Sequence, residues 1–424
     1  MNQKQSKTDT AAYRTLGWAR SQVAGVVKHH LAAALLVIVV VMACGGGPSS
    51  SSHPAAPPAS PSPSASADTS RHELLFAALE PGGDVTSMKD NAVAIVRQDG
   101  TAKAKARFDA RQLPKIGPAL PLPQPEARVA AGKVFYADGG GVIRSLSADG
   151  AVANVTTIPV TSSQQMLSFA VSPDGGQIVA AVFSFPPVRN PPPQSPIDNP
   201  YGPGDFTLQE WAVKVGQSPT LLSRRNWPQS GPLPQDVLEI VGWSQEAPLA
   251  TIDSELGTNQ GSQGRVMFGH VAELDTAGRP GPPLGGYSCS PWSVLPDETV
   301  LCNDDNGNLR SFSVRSKNGS VRFRFQSSGD QQYLDLSLSP DGNRVAYLVS
   351  LVSGNQSFVI DGSGKTVKLP ANFRPQGWLN ATTLIGVVQT LQTEGDMALV
   401  RLDHPTRMDD LGFHGFFAGV VQGS

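Results

Sequence analysis

The stretch Ser339-Pro340-Asp341-Gly342 lies between two apolar segments of strand length, Leu334 to Leu338 and Asn343 to Val349. Pro-Asp-Gly between such segments is typical of the tight turn of a β-hairpin. The same arrangement recurs around Ser172-Pro173-Asp174-Gly175. Two copies of one hairpin so far apart in the chain indicate a repeated structural unit.

Related turns divide the rest of the chain into units of similar length. The candidate turns are at Asp90, Gly132, Pro173, Gln245, Pro296, Pro340 and Asn380, with intervals of 42, 41, 72, 51, 44 and 40 residues. A second set of polar turns follows at Asp99-Gly100, Asp149-Gly150, Asp275 to Gly278, Asn318-Gly319 and Asp361-Gly362. Four strands in ~40–50 residues form a propeller blade. The sequence therefore predicts an all-β fold, a seven-bladed β-propeller of four-stranded blades over residues 72–424. Only the interval of 72 residues is out of line, and it contains the Pro-rich insertion Phe185 to Asp205. The otherwise even spacing argues against the alternative, a chance set of β-sandwich hairpins.

The segment Glu73 to Leu79 is an additional strand before the first of these turns. We expect it to complete the last blade, because a ring closed in this way leaves no open sheet between its ends.

The hairpin motif resembles the TolB-like, WD40-like propeller repeats of the bacterial envelope, whose signature is Ser-Pro-Asp-Gly followed by an apolar strand. Ser172 to Gly175 and Ser339 to Gly342 match in full, and Leu295-Pro296-Asp297-Glu298 matches in part. The resemblance covers roughly residues 72–424. It implies a propeller fold and says little about activity, because one fold hosts many functions.

The composition agrees with many short strands joined by turns. Charged residues make up 16% of the chain, which also contains 43 Gly and 36 Pro. The formal net charge of -2 offers no basic face for nucleic acid. We therefore expect no nucleic-acid partner.

The first seventy residues divide into three segments that precede the propeller domain. Residues 1–30 carry five Lys or Arg against Asp9, and we expect them in the cytoplasm. Residues 31–47 begin with thirteen apolar residues and are predicted to be a signal or membrane anchor. Residues 48–71 are rich in Pro and Ser and are predicted to be a linker. These segments predict a protein of the cell membrane with its propeller on the extracytoplasmic side.

Two forms of anchor remain open. Val41-Met42-Ala43-Cys44 resembles a bacterial lipobox, which implies that Cys44 becomes the lipidated first residue of the mature protein. Met42 and the long basic lead depart from that pattern. The alternative is an uncleaved span, because the uncharged stretch from His29 to Gly47 is just long enough to cross a bilayer.

If Cys44 is lipidated, Cys289 and Cys302 are the remaining cysteines, and they flank the Pro296-Asp297 turn. Export to an oxidising compartment favours a disulfide between them, which would stabilise the fold by roughly 3 kcal/mol. The alternative is a pair of free, buried thiols.

No catalytic or cofactor motif is complete. Gly362 to Thr366 resembles a phosphate-binding loop, but Val359 stands where the motif needs glycine. Asn303 to Asn308 resembles a calcium loop, but Ser313 replaces the Glu that would close it. We expect no cofactor and no metal, and the sequence leaves enzymatic activity uncertain, because propeller loops from distant parts of the chain meet in space.

The Pro-rich insertion from Phe185 to Asp205 is the most distinctive feature outside the predicted core. Its prolines favour an extended, ordered backbone suited to recognition, although a tolerated surface loop would look the same. A shorter insertion, Ser254 to Gly264, occupies the same point of the next unit. The candidate recognition residues are Pro186, Pro187, Arg189, Tyr201 and Asp205.

We therefore hypothesise a membrane-anchored, non-catalytic module that binds an envelope protein or a surface polymer. Two alternatives are a small-ligand sensor or enzyme with its site at the mouth of the central channel, and a structural accessory subunit of a membrane complex. A channel mouth lined by several acids or histidines would favour the sensor or enzyme.

Overall fold

The structure is a computed structural model that describes residues 73–82, 90–110, 127–187, 202–228, 237–252, 269–304, 309–327, 331–351, 354–389 and 394–421. The predicted N-terminal segments, 1–30, 31–47 and 48–71, lie outside these residues. The described part of the chain contains no helix with the length and apolar character needed to cross a membrane.

All regular structure in the described residues is β-strand. In chain order the strands are β1 (Leu75–Glu80), β2 (Asn91–Arg97), β3 (Ala102–Phe108), β4 (Ala127–Ala130), β5 (Lys133–Ala137), β6 (Val142–Ser147), β7 (Val152–Thr157), β8 (Gln165–Val171), β9 (Gln177–Ser184), β10 (Phe206–Lys214), β11 (Thr220–Trp227), β12 (Ile240–Trp243), β13 (Pro248–Ile252), β14 (His270–Leu274), β15 (Pro280–Pro283), β16 (Ser290–Val294), β17 (Val300–Asn303), β18 (Ser311–Arg315), β19 (Val321–Gln326), β20 (Tyr333–Leu338), β21 (Arg344–Leu351), β22 (Gly354–Asp361), β23 (Thr366–Lys368), β24 (Phe373–Asn380), β25 (Thr383–Gln389), β26 (Glu394–Arg401), β27 (Asp409–Asp410) and β28 (Phe416–Val421).

These strands form seven four-stranded antiparallel sheets, which confirms the predicted seven-bladed propeller. Blade 1 has the order β28-β1-β2-β3, and blades 2 to 7 each take four consecutive strands, from β4-β5-β6-β7 to β24-β25-β26-β27. The first strand of one blade contacts the first strand of the next at six of the seven junctions, and blades 4 and 5 meet through β14 and β16. The sheets therefore follow one another around a closed ring.

The core of the propeller lies between the blades. Seven separate clusters of buried apolar residues occupy the seven junctions. Because each sheet is covered on both faces, its central strands can carry unbroken apolar runs, as in Val345 to Val349 of β21.

The closing strand differs from the sequence-based expectation. We expected Glu73 to Leu79 to complete the last blade, but β1 is a central strand of blade 1 and pairs with β2 on one side. Its other neighbour is the C-terminal strand β28, with Leu75 opposite Val421. The reason is burial: residues 75–79 are all apolar and buried, which suits an inner strand. The turn at Asp90 consequently joins the second and third strands of its blade.

The Ser-Pro-Asp-Gly turns owe their form to one buried hydroxyl each. Ser339 Oγ donates to Asp341 Oδ1 at 2.6 Å and accepts the Arg344 backbone N–H at 2.9 Å. Ser172 makes the corresponding bonds to Asp174 and Gln177. Gly342 has a φ of +69°, which glycine adopts without strain. The motif therefore joins the first and second strands of a blade through satisfied polar groups.

The pairing of β1 with β28 predicts that the ring depends on the last strand. Deleting residues 416–424 should expose the edge of β1 and remove Phe417, Val420 and Val421 from the clusters on both sides of blade 1. We expect a loss of about 5 kcal/mol or more in unfolding free energy, measured by chemical denaturation. Deleting residues 422–424 alone is the control, since it keeps β28. Equal stability of the two truncated proteins would contradict this account of closure.

Candidate functional site

The two faces of the ring differ in the length of their connections. In an antiparallel blade, the first-to-second and third-to-fourth turns lie at one end, and all other connections lie at the opposite end. Turns at the first end are short, as at 131–132, 244–247 and 381–382. Connections at the second end include 109–126 and 185–205. We call these ends the short-turn face and the long-loop face.

Both insertions noted in the sequence leave from the long-loop face. The connection 185–205 joins β9 to β10 in blade 3, and 253–269 joins β13 to β14 in blade 4. Each is a second-to-third-strand connection, so the two begin and end on the same face of neighbouring blades. Loops placed on a rigid scaffold are where proteins most often carry binding residues.

The base of the 185–205 connection is well packed. Phe185 and Phe206 are both buried at its two ends, and both rings contact Phe183, with centroid distances of 4.9 and 6.0 Å. The Gly202 N–H donates to the carbonyl of Pro187 at 2.5 Å and brings the two ends together. The insertion therefore starts from a fixed position on the ring.

The candidate recognition residues occupy different positions around this base. Pro186 is buried, whereas Pro187 and Asp205 are exposed beside it. Arg189 and Tyr201 lie outside the described residues, and their role stays a prediction.

Tyr287 is an exposed aromatic residue that the sequence analysis did not identify. It is 78% exposed and lies in the connection 284–289 between blades 4 and 5. Its ring contacts the ring of His270 edge-on at 5.8 Å, and its carbonyl oxygen lies 2.8 Å from His270 Nε2. His270 is the first residue of β14, directly after the 253–269 connection. The only feature of the sequence that marks this position is a tyrosine directly after Gly285 and Gly286, which indicates a turn.

The 284–289 segment is held by a disulfide and by a buried arginine. Cys289 and Cys302 form a disulfide, and both are fully buried. Arg315, 7% exposed, donates through Nη1 to the Gly285 carbonyl and to Ser288 Oγ, both at 2.9 Å. Hydrogen bonds from Arg315 and the disulfide at Cys289 thus fix the loop on both sides of Tyr287, so its ring is presented from an ordered loop.

Gly285 is required by this packing. Its φ is +74°, and a Cβ there would come within 2.9 Å of Cys289 Sγ and 3.1 Å of Cys302 Sγ. A larger residue would push the loop away from the disulfide, because real Cβ atoms do not approach sulfur so closely.

Asp304 lies in the segment that resembles a calcium loop, and its carboxylate is bound by protein side chains. Its Oδ1 accepts hydrogen bonds from Arg315 Nη2 at 2.5 Å and from Ser313 Oγ at 2.8 Å. The carboxylate is therefore bound to Arg315, the buried arginine that holds the 284–289 segment. Among the described residues, no group of three or more His, Cys, Asp or Glu side chains is arranged to hold a metal ion.

The inner wall of the ring carries few charges. The structure describes all seven innermost strands, and their charged residues are Arg128, Asp335 and Arg374. Arg374 binds Asp335 at two points, Nε to Oδ2 at 2.7 Å and Nη2 to Oδ1 at 3.1 Å. This pair holds Asp335 in the left-handed region, at φ +49°. The innermost strands therefore contribute one ion pair and one further arginine to the channel wall, and the enzyme alternative, which places its site at the channel mouth, stays a prediction.

A pair of glutamates with oppositely shifted pKa values lies between blades 4 and 5. Lys317 Nζ is 2.7 Å from both Glu273 Oε2 and Glu298 Oε2. Burial, together with the nearby Glu273 carboxylate, raises the pKa of Glu298 above its ordinary value. Burial acts in the same direction on Glu273, but hydrogen bonds from Lys317, Glu298 and Ser244 outweigh it and lower the pKa.

Opposite shifts of this kind can mark an acid and a base of an enzyme. Here both carboxylates already bind the same ammonium group, and Glu273 also accepts the Ser244 hydroxyl at 2.9 Å. The cluster joins β14 of blade 4 to two turns of blade 5. We therefore interpret it as a link between blades.

Comparison with known proteins bears on the fold alone. No family model and no curated protein matches the sequence. TolB from Acinetobacter baumannii is 13% identical over 82% of this chain and 65% of its own, with a TM-score of 0.34. A protein described as TolB from Agrobacterium tumefaciens is 12% identical over 69% of this chain and 88% of its own, with a TM-score of 0.33.

An enzyme is also among the similar structures. The acylaminoacyl peptidase of Pyrococcus horikoshii is 10% identical over 79% of this chain, with a TM-score of 0.45, and this chain spans 52% of it. At such identities and scores none of these matches assigns an activity. The seven-bladed architecture rests on the sheets themselves.

The shared lysine predicts a pH-dependent stability defect. In Lys317→Met, two close carboxylates lose their cation, and we expect a loss of about 1 kcal/mol at neutral pH. As the pH falls, Glu298 should take up a proton first because its pKa is raised, which removes the repulsion. The stability difference from wild type should therefore shrink between about pH 7 and pH 4. Thermal unfolding measured across this range tests it.

The control is Lys365→Met, because Lys365 is an exposed lysine in the corresponding turn of blade 6. Its effect should be small and nearly independent of pH. A constant defect in Lys317→Met at every pH would show that the carboxylate pair is not responsible.

Proposed function

We propose that this protein is a non-catalytic binding module of the cell envelope that contacts a partner protein through its long-loop face. The observation that carries the proposal is the concentration of the long connections on one face of a closed ring, next to Tyr287. Blades that support one another keep the ends of these loops in fixed positions. A partner would then meet a surface that loses little conformational entropy on binding.

The chemistry of this face supports a protein partner. Tyrosine is enriched at the energetic centre of protein interfaces, because it buries a large apolar area and keeps a polar group. Tyr287 is exposed and fixed by its loop, and its neighbour His270 directly follows the 253–269 connection. The Pro-rich connection 185–205 adds a second segment suited to recognition.

The proposed location is the extracytoplasmic side of the cell membrane, with residues 31–47 as the anchor. The basic residues before this segment and the disulfide between Cys289 and Cys302 both support it, because disulfides persist in oxidising compartments. The strand β1 runs from the short-turn face to the long-loop face, so the propeller domain begins at the short-turn face. A partner on the long-loop face does not compete with that entry point.

The partner is tested by crosslinking the full-length protein in its own cells. We expect one protein crosslinked by wild type to be lost when residues 186–204 are deleted. In Tyr287→Ala its recovery should fall by about 30-fold, as expected of a central interface residue that contributes about 2 kcal/mol.

The matched control is Val215→Ala, because Val215 is 44% exposed in a turn of the short-turn face. It should crosslink like wild type. An unchanged partner in both long-loop variants would contradict the proposal. Recovery of a surface polymer and no protein would show that the partner is a polymer and would also contradict it.

The form of the anchor is tested by labelling cells with palmitate. If Cys44 is lipidated, wild type should be labelled and Cys44→Ala should not, because the thiol is the acceptor. If the segment is an uncleaved span, neither protein should be labelled and both should stay in the membrane fraction. Release of unlabelled wild type from the membrane would contradict both forms of anchor.

A further inference from the structure

In the part of the chain that the structure describes, every blade ends in an outermost strand whose outer edge has no neighbouring strand in its sheet. These strands are β3, β7, β11, β15, β19, β23 and β27. Unpaired backbone N–H and C=O groups along such an edge can pair with another strand. Proteins prevent this with charged residues, with proline or by keeping the strand short.

Six of the seven outer strands carry one of these protections. Lys or Arg residues stand in β3, β11 and β19, as Lys103 and Lys105 in Ala102–Phe108 show. The strand β15 has the sequence Pro-Gly-Pro-Pro. The strands β23 and β27 are three and two residues long.

The outer strand of blade 2 carries none of them. It runs Val-Ala-Asn-Val-Thr-Thr from Val152 to Thr157, with no charge and no proline over six residues. Val152 is 48% exposed, and Ala153, Asn154 and Thr157 are exposed as well. A register shift opposite Ile143 and Arg144 makes Val155 a bulge. Similar shifts occur along β3, β11 and β19, so charge is what distinguishes β7 from them.

We propose that the edge of β7 pairs antiparallel with β7 of a second copy of this chain and joins two propellers through a continuous sheet. This proposal is independent of the partner on the long-loop face. The ligand that satisfies a row of backbone donors and acceptors at strand spacing is another polypeptide strand. A two-fold axis through the edge would let the two copies exchange the same hydrogen bonds.

Because β7 carries no charge, the β7 strand of a second copy can pair with it without repulsion. Pairing β3, β11 or β19 with its own copy would bring like charges together, whereas β7 carries none to repel. The strand is also rich in the β-branched residues that favour cross-strand pairs: Val152, Val155, Thr156 and Thr157. The linker 48–71 of the same chain is rich in proline and is a poor strand.

The test is the mass of the full-length protein in detergent, measured by sedimentation equilibrium with the detergent density-matched. We expect wild type to approach twice its monomer mass as concentration rises. The double variant Val152→Lys with Asn154→Lys should remain a monomer, because each edge then carries two like charges. Val321→Lys is the matched control, since Val321 is also the first residue of an outer strand and is 41% exposed. It should dimerise like wild type.

A second measurement fixes the geometry. When β7 pairs antiparallel with its copy over its whole length, residue 153 of one chain lies opposite residue 156 of the other. The double variant Ala153→Cys with Thr156→Cys should therefore form an interchain disulfide in membranes under mild oxidation, whereas cysteine at Val321 should not. At a concentration where wild type is a monomer, the melting temperature of each variant should match wild type, which excludes loss of dimer through unfolding. Wild type that stays monomeric at every soluble concentration would overturn the proposal. So would a dimer that survives the double variant, or one that is lost equally in Val321→Lys.

Discussion

The ring depends on the backbone pairing between β1 and β28, because no turn connects these two strands. At every other point, the first and second strands of a blade are adjacent in sequence and joined by a short turn. At this point the pairing brings Leu75 opposite Val421, across almost the whole domain. Its loop-closure entropy must be offset by burial, and the strands supply it: residues 75–79 are all buried. Closure also means that none of the seven sheets faces solvent across an open gap in the ring.

The apolar clusters explain why few signature residues suffice for the fold. Only two blades contain a complete Ser-Pro-Asp-Gly turn, yet all seven have the same strand order. A turn contributes a few hydrogen bonds, whereas each junction buries six or more apolar side chains. Local turn sequence can therefore vary while the two-sided burial of each sheet is kept.

The number of blades could be predicted from the sequence because turn residues and strand patterns recur locally. The place of β1 could not, since its pairing partner is distant in the chain. One local signal was available: only nine residues separate the Asp90 turn from Asp99, whereas seventeen separate Gly132 from Asp149. Tyr287 was missed for a similar reason, because its exposure depends on a disulfide and an arginine that lie after it in the sequence.

The junction that presents Tyr287 is also the one with the least apolar packing. Its cluster has six buried residues and no aromatic ring, whereas each of the other six clusters contains Phe, Tyr or Trp. Polar contacts supplement it: Arg315 binds the Gly285 carbonyl, and Lys317 joins Glu273 to Glu298. Such contacts are directional and fix the relative position of the parts they join, while apolar contacts allow more adjustment. Blades 4 and 5 are thus joined in the manner best suited to holding an exposed side chain in one place.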